Sequence, residues 1–255
     1  MVEWRWGQAT HSPFAEGKAT HCARSGPLFS SSLSMARTAR LVVPGLPHHV
    51  TQRGARRMQV FFSDEDYRSY LRILADEARR HELGVWAYCL MPNHVHLIAT
   101  PPSEPSLAKA LGEAHRRYAW RVNRRQGWTG HLWQERFSSC AMDEPHLSAA
   151  IRYVLLNPVR AGLATTASAW PYSSARAHLG SAADELVETQ PAALRIKDWD
   201  NFLRLADSRE ETEELRRHSR IGRPLGSDAF LDELEQATGR PVRPARAGRR
   251  PRAAQ

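Results

Sequence analysis

Two histidines separated by one apolar residue, His94 and His96 in "MPNHVHLI", sit in a run whose other residues suit a buried strand. On a strand, residues two apart point the same way, so both imidazoles project from one face while Val95 enters the other. Side by side they can hold one divalent cation; for an HxH pair alone the competing reading is two hydrogen-bonded histidines beside a turn. A third ligand has to come from elsewhere. In "RYVLLNP", Tyr153 and Asn157 stand four apart and share a helical face, with Leu155 and Leu156 turned to other packing. An amide oxygen from Asn157 beside two imidazoles would make an open site suited to Mg²⁺ or Mn²⁺, with positions left for phosphate oxygens and water. Tyr153 then hangs over the cation. A phenol, with a pKa of about 10, is a weak nucleophile at neutral pH, but a cation that polarises a phosphate lowers the barrier to its attack.

The elements that must position these residues alternate along the chain. "HHVTQRG" (48–54) has the character of a short strand. "SDEDYRSYLRILADEARRHELG" begins with Ser63 as a cap and acids in the first turn, carries apolar residues at helical spacing, and closes at Gly84. "VWAYCL" and "VHLIAT" flank the "MPNH" turn as an antiparallel hairpin. A second amphipathic helix is expected from Ser106 to about Gln126, and a strand over Leu132–Met142. A third helix should end near Asn157, because the residue before Pro158 is pushed out of the helical region. The order strand, helix, strand, strand, helix, strand predicts an α+β fold, a ferredoxin-like split βαβ antiparallel sheet, with extra C-terminal helices. A short helix is expected within Trp170–Leu179, and others in "DWDNFLRLA", "SREETEELRRHS" and "SDAFLDELEQATG". The expected division is an extension over 1–34 with little order, a main domain over 35–180 that begins where the composition changes at Met35, a small helical region over 181–239, and a basic disordered tail over 240–255.

Composition narrows the partner. The 255 residues are 42% hydrophobic and 25% charged, which suits a folded globular chain. Three scattered cysteines form neither a CxxC pair nor a disulfide framework, which fits a reducing cytoplasm. No apolar run reaches the roughly 20 residues of a membrane span. A net charge of +9 points to a polyanion, more so where the basic residues cluster. "AHRRYAWRVNRRQGW" (114–128) interleaves five arginines with two tryptophans and a tyrosine, and "RPVRPARAGRRPR" (240–252) holds six arginines and no acid.

Taken together, "HHVTQRG", "MPNHVHLI", "LWQERF", "YVLLNPVRAGL" and "WPYSS", in that order over Ala39–Leu179, resemble the REP-associated tyrosine transposases, a branch of the HUH single-tyrosine transposases. "GRPLGS" and the Arg/Pro tail also look like members of that family. The resemblance implies an HUH nuclease fold that cleaves and rejoins single-stranded DNA beside REP-type hairpins. Carried over by residue, His94 and His96 are the paired ligands of Mg²⁺ or Mn²⁺, Asn157 the third, and Tyr153 the nucleophile that forms a 5′-phosphotyrosine link. It further implies a bacterial cytoplasmic, nucleoid-associated protein whose partner is single-stranded DNA with hairpins, a monomer being favoured over a homodimer. A catalytically inactive hairpin-binding module and a metal-dependent hydrolase without a covalent tyrosine are the rival readings.

Other residues are open in role. Arg53, Arg56 and Arg57 are candidates for contact with DNA, against a solvated loop. Arg136 is a candidate for the scissile phosphate on a strand neighbouring that of the histidines. Arg116, Arg117 and Arg121, with Arg124 and Arg125, offer a basic helix face. His48 and His49 read as structural histidines, against the alternative that one of them approaches the site or DNA, His115 and His131 as surface groups, and Trp133 and Phe137 as core.

Overall fold

The computed structural model describes residues 40–205 and 208–243; the expected N-terminal extension and the tail from 244 onward lie outside them. Four strands, β1 (His48–Arg53), β2 (Gly84–Met91), β3 (His94–Thr100) and β4 (Ser138–Ala141), form one sheet in the order β2-β3-β1-β4, every neighbouring pair antiparallel. With α1 (Asp64–Arg80) between β1 and β2 and α2 (Glu104–Gln126) between β3 and β4, this is the expected α+β, ferredoxin-like split βαβ sheet. After it come α3 (Glu144–Leu155), α4 (Asn157–Arg160), α5 (Ala175–His178), α6 (Thr189–Ala193), α7 (Trp199–Arg204), α8 (Arg209–Ile221) and α9 (Asp228–Thr238).

Local chemistry sets the helix ends. Three acids, Asp64, Glu65 and Asp66, occupy the positive first turn of α1. Ser63 has the extended backbone of a cap without a side-chain bond; the buried carboxylate of Asp66 instead takes the Phe62 N–H at 2.9 Å. In α2, Ser103 and Ser106 make a reciprocal capping box, and Gly127 closes the helix with φ +64°. Two cores follow from strand alternation. Val50, Tyr88, Leu90, Val95 and Leu97 point to one face and pack under α1 and α2 with Leu74, Leu107, Leu111 and Tyr118. Ala87, Cys89, Met91, Ile98 and Cys140 point to the other and meet Leu147, Ile151 and Val154 of α3 and Leu215 of α8.

One strand differs from expectation, and two later segments make contacts that no local pattern showed. The strand expected over 132–142 is ordered as β4 only from Ser138. Residues 132–135 instead run along the end of β1: the Ala55 N–H donates to the Leu132 carbonyl and the Gln134 N–H to that of Arg53, both at 2.8 Å, before Glu135 turns the chain at φ +56°. The Trp170–Leu179 stretch holds the expected short helix, α5, at its end. Its "WPYSS" portion lies beside β2: the Leu90 N–H donates to the Tyr172 carbonyl at 2.9 Å, Trp170 Nε1–H to the Leu90 carbonyl at 2.9 Å, and the Tyr88 N–H to Ser174 Oγ at 3.0 Å. Those bonds occupy backbone groups that an edge strand would otherwise expose. Of the helices after 180, α8 packs on α3 and β4, and "GRPLGS" pairs beside β4, the Leu225 N–H donating to the Ala141 carbonyl at 2.8 Å and the Leu225 carbonyl accepting from the Asp143 N–H at 3.1 Å.

Two histidines are structural. His48 Nδ1 bonds the Leu46 carbonyl at 2.8 Å and Nε2 accepts the Val43 N–H at 3.2 Å. His115, expected on the surface, is buried against Trp133 with Nε2 3.0 Å from Tyr70 Oη. Burial, against which a charged imidazole would lose its hydration, lowers His48 to about 4 and His115 to about 3 from 6.5. The unfolded chain takes up these protons near pH 6.5 while the folded chain does not, so stability is full above pH 6.5 and falls as pH drops toward 4 and 3. Each such group should lower the unfolding free energy by roughly 1.4 kcal/mol per pH unit inside that window. Urea denaturation at pH 7.5, 6 and 5 measures this, and His115→Gln should reduce the slope by one proton; an unchanged slope would contradict the assignment.

Candidate active site

The register of β1 against β3 builds the site. Thr51 stands opposite His96 and Arg53 opposite His94, so His49, Thr51 and Arg53 share a face with the two histidines, on the side covered by α3 and α8. The His94 and His96 rings lie 4.9 Å apart, nearly perpendicular at 78°. His94 Nδ1 is bonded to Asn93 Oδ1 at 2.6 Å and His96 Nδ1 to His49 Nε2 at 2.9 Å. With each Nδ1 engaged, Nε2 is the atom each ring has left for another ligand. Burial lowers His94 to about 4 and, with the charges of His49, His94, Arg160 and Arg53 adding to it, His96 well below its ordinary range. Both are neutral imidazoles at pH 7, the state that binds a cation.

Tyr153 projects from α3 into the same place. Its ring meets His96 edge-on at 5.6 Å and His49 at 5.8 Å, and the guanidinium of Arg160 lies 4.3 Å from its centroid. Arg216 of α8 donates from Nε to Tyr153 Oη at 3.3 Å. Asn157, one helical turn on, donates its Nδ2 to the Tyr153 carbonyl at 3.2 Å, which makes Oδ1 the amide's acceptor. Two imidazole nitrogens and an amide oxygen lining one cleft are neutral donors that could hold a divalent cation with places left for oxygen ligands. Among the described residues no group of three or more histidine, cysteine or acidic side chains is placed to hold a metal.

Around these groups opens a cleft of about 790 Å³, lined among the described residues by Arg53, Arg57, Arg136, Arg160, Arg216 and Arg220 and by a single acid, Glu135. Six guanidinium groups against one carboxylate make a strongly positive field. Arg53, Arg57 and Arg136 line this cleft; Arg136 sits in the loop before β4, which pairs with β1 and not, as expected, with the histidine strand. Arg56 is exposed beside it; Arg56 and Arg57 both take positive φ, +53° and +63°. That sharp turn depends on Gly54, where an added Cβ would come within 2.3 Å of the Met58 carbonyl oxygen and 2.7 Å of Val60 Cγ1.

The arginines of α2 are elsewhere. They sit on the opposite side of the sheet, and four of the five pair with acids: Arg117 with buried Glu77 at 2.6 Å, Arg116 with Glu113 at 2.6 Å, Arg121 with Glu65 at 3.5 Å, and Arg125 with buried Asp66, while Arg124 lies over the Trp120 ring. Arg117 and Arg125 therefore hold α2 to α1, because a buried carboxylate without its partner would be costly. Sequence reasoning gave too little weight to His49, whose only signal was its same-face spacing from Arg53, and missed Arg160, Arg216, Ser219 and Arg220, which no local pattern distinguishes from surface residues.

Residues 42–156 match the family model described as IS200-like transposases. Over this segment the chain is similar to that family. The IS200-like segment runs from just before β1 to the end of α3, so it includes His49, His94, His96 and Tyr153 and stops short of Asn157 and α8. A Haemophilus influenzae protein described as a candidate REP-associated tyrosine transposase is 26% identical over 99 residues, 34% of this chain and 56% of that protein, so the match spans about half of the relative's length. Among solved structures, a REP-associated tyrosine transposase bound to a REP hairpin is similar at 20% identity and a TM-score of 0.49, over 60% of this chain and 98% of that one. A candidate transposase from Deinococcus radiodurans is similar at 29% identity and a TM-score of 0.34, over 47% of this chain and 95% of that one.

Gly54→Ala should destabilise the protein by about 1–3 kcal/mol, the range for overpacking, because the atoms it meets are backbone and a packed valine. Urea denaturation measures it, and a loss below about 0.5 kcal/mol, the scatter of surface changes, would show that the loop yields freely.

Proposed function

We propose that the protein cleaves and rejoins single-stranded DNA beside hairpins, using Tyr153 as the nucleophile and a divalent cation held by His94, His96 and Asn157. The observation that carries this reading is the convergence in one arginine-lined cleft of a tyrosine hydroxyl held by Arg216 with two neutral histidines that each keep Nε2 for a ligand. The family that residues 42–156 match and the name of the Haemophilus relative support the same chemistry.

Tyr153 Oη attacks the phosphorus, the bond from phosphorus to the 3′-oxygen breaks, and the phenol proton ends on that oxygen, directly or through water. The products are a 5′-phosphotyrosine and a free 3′-OH; attack by a 3′-OH on the phosphotyrosine reverses the exchange and reseals a strand without an outside energy source. A bound Mg²⁺ or Mn²⁺ supplies Lewis-acid polarisation of the phosphate. Arg216 stabilises the negative charge that develops on the phenol oxygen as its proton leaves, and again when the tyrosine departs. Arg160, packed on the ring, and Asn157, bonded to the Tyr153 carbonyl, hold the nucleophile on its turn of helix. Arg53, Arg57, Arg136 and Arg220 take the phosphates of the strand on either side, an attachment that weakens with salt.

The test incubates the protein with labelled single-stranded hairpin DNA from the flanks of its own gene, with Mg²⁺ or Mn²⁺, and resolves the products on a denaturing gel. A protein–DNA adduct that is lost in Tyr153→Phe and with EDTA is expected. Arg216→Ala should reduce the adduct rate by about 10²-fold or more, as removal of one charge-stabilising donor does, with hairpin binding weakened far less. Cleavage that survives Tyr153→Phe would favour the hydrolase reading. Tight hairpin binding with no adduct under any of these conditions would favour an inactive DNA-binding module.

A further inference from the structure

Helix α8 lies outside the IS200-like segment, yet one face of it enters the site twice. Arg216 reaches Tyr153, and Ser219, three residues on, reaches the histidines from behind. Ser219 Oγ is 2.6 Å from His49 Nδ1, and His49 Nε2 is 2.9 Å from His96 Nδ1. The two imidazoles are almost coplanar, 4° apart with centroids at 5.2 Å, the arrangement of an in-plane N–H···N bond. All three side chains are buried, at 1% (His49), 5% (His96) and 6% (Ser219) exposure, so bulk water does not replace a lost partner at low cost.

We propose that His49 and Ser219 form a hydrogen-bond relay that fixes the tautomer and orientation of His96 as a metal ligand, and that α8 is therefore an integral part of the metal site. This rests on the metal reading of His94 and His96 given above. The proton positions follow from counting. If His96 Nε2 is to present a lone pair, its single proton is on Nδ1 and is donated to His49 Nε2. His49 then carries its own proton on Nδ1 and donates it to Ser219 Oγ, a hydroxyl able to accept. The opposite polarity, with the serine as donor, places the His96 proton on Nε2 and removes the ligand. Asn93 does the equivalent for His94 in one step, since an amide Oδ1 can only accept. Groups of this kind behind metal-bound histidines set the tautomer and ring orientation, and their loss typically costs tenfold to a hundredfold in metal affinity.

The experiment titrates Mn²⁺ into the full-length protein without DNA, following bound metal by electron paramagnetic resonance and calorimetry. His49→Phe keeps a ring of similar size but has no acceptor for the His96 N–H. It should bind Mn²⁺ about tenfold to a hundredfold more weakly. His49→Gln can place Oε1 to accept that proton and should stay within a few-fold of the wild type. Ser219→Ala, which leaves His49 in place, should give an intermediate loss. Circular dichroism and urea midpoints establish that each variant is folded, and His94→Ala, which removes a ligand outright, is the reference for complete loss. Wild-type affinity in His49→Phe, or a folded His49→Gln as weak as His49→Phe, overturns the relay. Failure of the folded wild type to bind Mn²⁺ at millimolar concentration overturns the metal reading, and the relay with it.

Discussion

Everything in the site depends on the pairing of β1 with β3. Because side chains alternate along a strand, the register that puts Thr51 opposite His96 also puts His49, Thr51 and Arg53 on the face of His94 and His96. A slip of one residue would carry Arg53 and His49 through to the core beneath α1 and α2, and bring Val50 into the cleft. The register is held by the opposite face, where Val50, Val95 and Leu97 are fully buried. The core on one side of the sheet thus sets the chemistry on the other.

The two faces treat charge differently. Beneath α1 and α2, buried carboxylates are each matched by an arginine, Asp66 by Arg125 and Glu77 by Arg117, and the pairs tie the two helices together. In the cleft, arginines outnumber acids six to one, and the buried ring nitrogens bond to one another, to an amide or to a hydroxyl. Neutral histidines surrounded by guanidinium groups are disfavoured from taking up protons both by burial and by like charge, so this face is positive without being protonated. It is suited to an anion that brings its own negative charge.

Two irregular segments complete the architecture through the edges of the sheet. "WPYSS" bonds along β2 and "GRPLGS" along β4, each adding backbone partners where a bare strand would end. The second segment also anchors α8: His218 Nδ1 bonds the Pro224 carbonyl at 2.7 Å and Cys140 Sγ donates to that of Arg223 at 3.0 Å. Held there, α8 delivers Arg216 to Tyr153 and Ser219 to His49.

The order of strands and helices was legible in the sequence because alternation, helical spacing and turn residues are local signals, and the antiparallel split βαβ sheet follows from them. The HxH pair and the Tyr153–Asn157 spacing were legible for the same reason: two residues apart on a strand, four apart on a helix. What only the tertiary structure decided is which distant groups meet them. His49 became the partner of His96 through a diagonal across two strands, and Arg216 and Ser219 reached the site from a helix more than 60 residues beyond Tyr153. The strand expected from Leu132 was cut short because Gln134 pairs with the end of β1 and Glu135 turns away. Within the prominent run of arginines on α2, Arg117 and Arg125 were assigned to ion pairs by acids on α1 that lie 40 and 59 positions away. Residue spacing states which side chains share a face; it does not state which face of another element will be laid against them, and that is settled by how the cores pack.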